Sequence, residues 1–179
     1  EQPTLESFGE MCANDNVRLL CVTGGPGVVA AAMQTGKRAI CAGPGNPPVL
    51  VDDTADLDRA ARCVVEGAAY DNNLLCIGEK ELFVLDSVAD AFMSALEKHA
   101  AVRLNASQLD ALTQAAFVFP EGQGAGCPDA AVNKEFIGKD APVLAQAAGV
   151  HAPSGTQLLF AETDTDHLFV EEEQMMPML

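Results

Sequence analysis

The stretch VRLLCVTGGPGVVAAAMQTGKRAICA, residues 17–42, contains the pattern that decides the fold. A short apolar run at residues 17–22 meets the glycine turn TGGPG, and a helical segment follows that Gly36 ends. A second strand is predicted at residues 37–41. A strand, a helix and another strand in this order predict two parallel strands joined by a helix, and therefore an α/β fold.

The same alternation continues along the rest of the chain. After the loop GPGNPP, residues 49–51 predict an extended segment, and Asp53 or Thr54 is the expected N-cap of the next helix. Gly and Pro content predicts a loop at residues 120–129. The other predicted elements are strands at residues 81–85 and 157–161, helices capped by Ser87 and starting near Ser107, and short helices at residues 132–137 and 141–148.

The sequence DNNLLCIGEKELFV, residues 71–84, places Cys76 in a polar turn between a helical and a strand pattern. A thiolate attacks carbonyl carbon and leaves an activated thioester, so this position is suited to a nucleophile. Lys80 or the loop amides are the candidate groups for stabilising the thiolate. The alternative is a structural thiol, because the chain has six cysteines and free cysteine is often buried.

Two further segments are candidates for binding. Glycines in the turn at residues 23–27 allow close approach to the backbone, and a helix N-terminus offers unpaired N–H groups to an anion. A tight connection without a ligand explains the same pattern. The acidic run at residues 171–173 precedes QMMP, and one glutamate turned inward would be functional, whereas a solvated surface is the alternative.

Composition narrows the class of protein. With 179 residues, 49% of them hydrophobic, the chain is predicted to form one globular domain, or one domain plus part of another. A formal charge of −16 disfavours nucleic acid and anionic membranes as partners. The cysteines lack CxxC spacing, no apolar run is long enough to span a membrane, and the three histidines lack metal-ligand spacing. We therefore expect an intracellular protein without a metal site.

Four motifs in order carry a family resemblance: TGGPGVV, GPGNPPVLVDDTADLDRAA, DNNLLCIGEKELFV and EEEQMMPML. They resemble the aldehyde dehydrogenase superfamily, and within it the CoA-acylating propionaldehyde and acetaldehyde dehydrogenases of bacterial diol and ethanolamine utilisation. The resemblance implies an α/β three-layer sandwich with a mostly parallel sheet. It also implies that residues 1–45 are the end of an NAD-binding domain and residues 46–179 a catalytic domain truncated at its C-terminal end.

The resemblance assigns roles to five residues. Cys76 is implied as the nucleophile that attacks the aldehyde, loses hydride to the nicotinamide and retains a thioester, with its own N–H helping to hold the oxyanion. Thr23, Gly24 and Gly25 are implied to line the nicotinamide side of the cofactor cleft, and Glu173 to contact the nicotinamide ribose. The cofactors implied are NAD, with NADP as the alternative, and coenzyme A as co-substrate.

Two departures from the hydrolytic members of this family bear on the product. Those members carry a water-activating glutamate where this sequence has Ala42, so the thioester is expected to survive until CoA arrives. Met175 stands where they usually place an aromatic residue. A phosphate-using semialdehyde dehydrogenase relative remains an alternative, as does a non-catalytic assembly or binding module; a hydrolytic enzyme is the weaker choice because of Ala42.

The resemblance also implies partners and location. A short-chain aldehyde, CoA and a second copy of the chain are expected, together with shell or cargo proteins of a bacterial microcompartment. The expected location is the cytoplasm, or a microcompartment within it. Since family members are much longer, we expect this chain to be a fragment with little or no turnover by itself.

Overall fold

A computed structural model describes residues 4–120 and 130–179. The chain divides into two compact units, Glu1–Gly45 and Asn46–Leu179. Within both units helices alternate with parallel strand pairs, so the predicted α/β class is confirmed. The predicted loop at residues 120–129 falls almost entirely outside the described residues.

The first unit is a strand–helix–strand motif preceded by a helix. Its strands pair in parallel, with Leu19 opposite Arg38 and Thr23 opposite Ala42. Such a parallel pair requires a crossover, and the helix that begins at Pro26, within the glycine turn, provides it. The elements of this unit are α1 (Leu5–Ala13), β1 (Leu19–Thr23), α2 (Pro26–Gln34) and β2 (Arg38–Ala42).

The second unit contains two parallel strand pairs and one antiparallel pair. Strand β3 pairs with β4 and β5 with β8 in parallel, whereas β6 and β7 run antiparallel. A 3-10 turn, Tyr70–Asn73, follows α3. The elements of this unit are β3 (Pro48–Val51), α3 (Leu57–Ala68), β4 (Glu81–Val84), α4 (Asp86–Lys98), β5 (Ala101–Arg103), α5 (Ala106–Ala116), β6 (Phe117–Val118), β7 (Ala131–Val132), α6 (Ala141–Ala147), β8 (Leu158–Phe160) and α7 (Leu168–Glu171).

The apolar faces of these elements form two cores in the second unit. One core packs α3 and α4 around residues such as Val64 and Phe92, beneath the β3–β4 pair. The other packs α5 and α6 around Leu112 and Leu144, and the C-terminal Met178 joins it. Burial of these side chains is the main favourable contribution to folding. None of the helices that the structure describes is long and apolar enough to cross a bilayer.

Two predicted helix caps are wrong. The helix expected to follow Asp53 or Thr54 is capped by Asp56, whose carboxylate accepts the N–H of Arg59 at 3.1 Å. Thr54 is engaged earlier, because Asp52 accepts its N–H at 2.9 Å and closes a turn before the helix starts. Likewise Ser87 does not cap α4. That helix begins at Asp86, and its N-cap position makes no side-chain hydrogen bond.

The helix predicted at residues 132–137 is also wrong. Val132 pairs with Phe117 across β6 and β7, so the first residue of the predicted helix is extended. Asn133 then accepts the N–H of Glu135 at 3.1 Å, and the chain turns until Gly138 at φ +68°. An asparagine that bonds its own backbone two residues on favours a turn over a helix.

Candidate active site

Cys76 lies half-exposed in a tight turn of the second unit. The N–H of Gly78 donates to the carbonyl of Leu75 at 3.0 Å, which closes the turn around Cys76. Within the described residues the N–H of Cys76 makes no backbone hydrogen bond. The thiol is therefore partly accessible, and the amide of Cys76 is not used by the backbone of the described residues.

The backbone before this turn adopts an uncommon conformation. Asp71, Asn72 and Asn73 all have positive φ, at 49°, 52° and 59°. Asp and Asn tolerate this left-handed region better than other residues with side chains. Asn72 is held from outside, because its amide donates to the carbonyl of Gly138 at 3.0 Å and to the carboxylate of Asp140 at 2.7 Å.

Lys80 is the buried cation of the site, with only 1% of its surface exposed. Its ammonium donates to the carbonyl of Asn73 at 2.8 Å and also to the Asn73 side-chain oxygen. Burial lowers the pKa of Lys80, while the charges of Glu173 and of a Cys76 thiolate act in the opposite direction. Two of the residues singled out by sequence, Cys76 and Glu173, are thus close enough to influence one lysine.

Glu173 follows α7 in a segment without regular secondary structure and is half-buried. Asn46 fixes the start of this segment, since its amide donates to the carbonyls of Val170 at 2.8 Å and Glu172 at 3.0 Å. The next residue, Gln174, is fully buried and donates to the carbonyl of Met178 at 2.9 Å. The position of Glu173 is therefore set by polar contacts on both sides.

Gly138 joins these segments. Its N–H donates to the carbonyl of Met175 at 3.0 Å, and its carbonyl receives the amide of Asn72. A Cβ built on Gly138 would lie 3.2 Å from the side chain of Leu74, two residues before Cys76. No side chain larger than hydrogen fits here without displacing Leu74 or straining a backbone at φ +68°.

The glycine turn belongs to the first unit. Thr23 ends β1, and the N–H of Gly24 donates to the carbonyl of Ala42 at 3.1 Å. Gly25 is the N-cap of α2 and makes no side-chain hydrogen bond, and a Cβ built on it meets nothing within 4 Å. The three predicted cofactor residues and Ala42 are therefore neighbours within this unit.

Sequence reasoning did not identify Asn46, Asn73 and Gly138 as parts of the site. A signal for Asn73 was present, because an Asp-Asn-Asn run is the natural composition for consecutive left-handed residues. No local signal marks Asn46, whose partners lie more than 120 positions away in sequence. Among residues 4–120 and 130–179, no cluster of three or more His, Cys, Asp or Glu side chains could hold a metal ion.

Comparison with known proteins places this chain in a family. The model of the aldehyde dehydrogenase family matches residues 4–118. The chain belongs to the aldehyde dehydrogenase family, as the motifs predicted. Acetaldehyde dehydrogenase (acetylating) EutE of Salmonella typhimurium is 44% identical over 178 residues, which cover 99% of this chain and 37% of that protein.

Solved structures agree in fold. A propionaldehyde dehydrogenase from the fucose utilisation microcompartment of Clostridium phytofermentans matches with a TM-score of 0.87 and 39% identity, over 100% of this chain and 39% of that one. The Rhodopseudomonas palustris propionaldehyde dehydrogenase with bound CoA and an acylated cysteine matches with a TM-score of 0.85 and 36% identity, over 100% and 39%. The chain thus spans less than two fifths of the length of these relatives.

Proposed function

We propose that the full-length protein containing this chain is a CoA-acylating aldehyde dehydrogenase that converts propionaldehyde or acetaldehyde, NAD and CoA to acyl-CoA and NADH. The observation that carries the proposal is Cys76, half-exposed in a closed turn and near the buried cation Lys80, in a chain of the aldehyde dehydrogenase family. The relatives support it because one is named as acetylating and another binds CoA and has an acylated cysteine.

Cys76 carries the acyl group in this proposal. Its thiolate adds to the aldehyde carbon, forming a C–S bond and an oxyanion beside the free N–H of Cys76. Loss of hydride from that carbon reforms the carbonyl as a thioester on Cys76. The sulfur of CoA then attacks the thioester carbon, and the Cys76 thiolate leaves. The balance is aldehyde, NAD⁺ and CoA in, and acyl-CoA, NADH and one proton out.

Thr23, Gly24 and Gly25 are the residues proposed to hold NAD, which supplies the hydride acceptor when bound. The fit is supported by the open N-terminus of α2, where Gly25 makes no side-chain cap and offers space to a ligand. Unpaired N–H groups at a helix N-terminus favour anionic groups such as phosphates. Glu173 is the proposed ribose contact, and its fixed segment supports a positioning role.

Ala42 supports transfer to CoA over hydrolysis. Its methyl side chain has no group that can remove a proton from water. Residue 42 therefore cannot act as the general base that hydrolysis requires. A phosphate-using relative would share this feature. The two are separated by the acyl acceptor, since only the proposed reaction yields product with CoA and none with inorganic phosphate.

The direct test uses the full-length protein and follows NADH from propionaldehyde with CoA, with phosphate, or with neither. We expect turnover only with CoA, and its loss by at least about a thousandfold in Cys76→Ser, since a hydroxyl at its ordinary pKa is a much weaker nucleophile. Cys63→Ser is the matched control, because Cys63 is an exposed cysteine of the same unit. Equal NADH formation by Cys76→Ser would refute the proposal.

We further propose that residues 1–45 are the end of the NAD-binding domain and residues 46–179 the truncated catalytic domain. The division of the chain at Gly45 supports this assignment. The 179-residue chain by itself is expected to show little or no turnover, and robust NADH production by it would contradict that part. A cytoplasmic or microcompartment location is proposed because one relative belongs to a bacterial microcompartment. Assembly with further copies and contact with shell or cargo proteins are proposed from the family resemblance alone.

A further inference from the structure

We propose that Lys80 is a positioning residue for the nucleophile: its buried ammonium locks the left-handed turn before Cys76 and keeps a positive charge beside the thiol. This inference rests on the proposed function, because it concerns how Cys76 is made ready for attack. It goes beyond that function in assigning a role to a side chain that does not itself react.

Lys80 closes the segment that carries Cys76. The backbone N–H of Lys80 donates to the carbonyl of Pro47 at 3.0 Å, which anchors it beside the start of β3. From that anchor the side chain reaches back to Asn73, while the amide of Asn73 donates to the carbonyl of Glu79 at 2.9 Å. The chain from Asn73 to Lys80 is therefore tied at both ends, with Cys76 between the ties.

The tie is made where the backbone needs support. Asn73 is the third consecutive residue with positive φ and is itself 1% exposed. Left-handed residues other than glycine are strained and persist only where surrounding contacts hold them. Lys80 supplies two such contacts, to the main-chain and side-chain oxygens of Asn73, so loss of its ammonium releases the turn.

Burying a lysine to hold a turn costs desolvation free energy, and this cost indicates that the positive charge itself has a role. An ammonium removed from water is destabilising unless it is compensated, and a neutral donor would satisfy Asn73 at lower cost. Asn73 accepts with two oxygens, whereas an ammonium has three N–H donors, so Asn73 alone does not use the full hydrogen-bonding capacity of Lys80. The charges of Glu173, the predicted ribose contact, and of Cys76 as a thiolate, the predicted nucleophile, both act to raise the pKa of Lys80 against the effect of burial.

The test is the reactivity of Cys76 in the full-length protein. Iodoacetamide labelling at pH 7, read by mass spectrometry, gives the rate at Cys76 relative to that at exposed Cys63. In Lys80→Met we expect this ratio to fall severalfold, because the turn that presents Cys76 loses its tie to Asn73 and the positive charge near the thiol is removed. Lys80→Arg keeps the charge and is expected to restore most of the rate. Lys134→Met removes an exposed lysine of the same unit and should leave the ratio unchanged.

An unchanged ratio in folded Lys80→Met, with folding judged by circular dichroism and thermal unfolding, would overturn the inference. If Lys80→Met does not fold, Asn73→Gly decides. Glycine accepts the positive φ of Asn73 freely, so this change removes the side-chain tie without adding backbone strain. A severalfold loss of relative Cys76 labelling in Asn73→Gly supports the inference, and no loss overturns the claim that the side-chain tie between Lys80 and Asn73 positions Cys76.

The outcome is separable from that of the proposed function, since labelling does not depend on turnover. If Cys76→Ser abolishes CoA-dependent NADH formation while Lys80→Met labels normally, the function stands and the role of Lys80 falls. If labelling depends on Lys80 while the full-length protein forms no NADH, the role of Lys80 stands and the proposed reaction falls.

Discussion

His167 couples the protonation of one side chain to the segment that carries Glu173. Its Nδ1 accepts the N–H of Phe169 at 3.2 Å and so caps α7. Burial lowers the pKa of His167 below 6.5, and the charges of Asp110 and Asp166 oppose this shift. Because Nδ1 can accept only while it is unprotonated, the cap requires the neutral ring.

The expected result is a loss of stability in acid. Between the lowered folded-state pKa and the unfolded value of 6.5, the unfolded chain binds more protons, so the free energy of unfolding falls as the pH drops through that window. Asparagine can also cap a helix but does not titrate in this pH window. In His167→Asn the contribution of residue 167 to the slope of unfolding free energy against pH should therefore vanish. His167→Ala should lose about 1 kcal/mol at pH 7.5, the usual contribution of an N-cap.

Urea unfolding from pH 5 to 7.5 measures both effects. His151→Asn is the matched control for replacing a histidine by asparagine, since His151 is exposed in the same unit. A His167→Asn slope indistinguishable from that control would show that His167 does not contribute to the pH dependence.

Among individual residues, the sequence indicated those site residues whose role is marked by their immediate neighbours in the chain. Cys76 stands out because its neighbours form a polar turn, and the Asp-Asn-Asn run before it contains the residue types that tolerate a left-handed backbone. Lys80 was one of the groups considered for stabilising the thiolate. That it binds Asn73 could not be predicted, because two non-adjacent residues meet only after the turn has folded.

Gly138 lies where the turn after β7 contacts the segment that carries Cys76. Gly138→Ala forces a side chain into a backbone at φ +68° and against Leu74 at 3.2 Å. Gly149→Ala imposes the same backbone strain at φ +71° with nothing within 4 Å. Left-handed strain is worth about 1–2 kcal/mol per residue, so this source of strain should cost both variants roughly that amount.

The difference between the two glycine variants measures the contact with Leu74. Gly138→Ala should lose about 1–3 kcal/mol more than Gly149→Ala, the range for overpacking. It should also change the labelling rate of Cys76 relative to Cys63, which Gly149→Ala should leave alone. Equal stability losses in urea, with equal labelling, would mean that Gly138 needs only its backbone freedom.

Secondary-structure prediction succeeded where a periodic pattern of apolar residues extends over many positions. It failed where side chains bond the backbone and change its direction. Helix α3 was predicted to follow Asp53 or Thr54, and four of its residues are buried. The segment at residues 132–137 carries apolar residues too, yet Asn133 bonds the backbone and turns the chain. Helix α1 was not predicted, although Thr4 and Ser7 form a capping box at its start.

For the molecule as a whole, the parallel pairing of strands could be predicted from the order of strands and helices. The pairing of the C-terminal segment with β8 could not be predicted in this way. Leu159 donates to the carbonyl of Pro177 at 3.0 Å and accepts the N–H of Leu179 at 2.9 Å, so residues 177–179 extend alongside β8. Proline and methionine in this segment gave no strand pattern. Tertiary pairing with β8 and burial of Met178 fix a segment that local propensity leaves undecided.

The two compact units differ greatly in core size, which predicts how each behaves by itself. The first unit buries only Cys12, Leu20 and Ala32 among its described residues, whereas the second has two extensive cores. Chains of about 40 residues bury too little surface to fold without further support. Residues 46–179, produced separately, should therefore unfold cooperatively in urea and keep the Cys76 to Cys63 labelling ratio of the whole chain. Residues 1–45 should show no cooperative transition. A cooperative transition in 1–45, or its absence in 46–179, would show that core size does not govern the stability of these units.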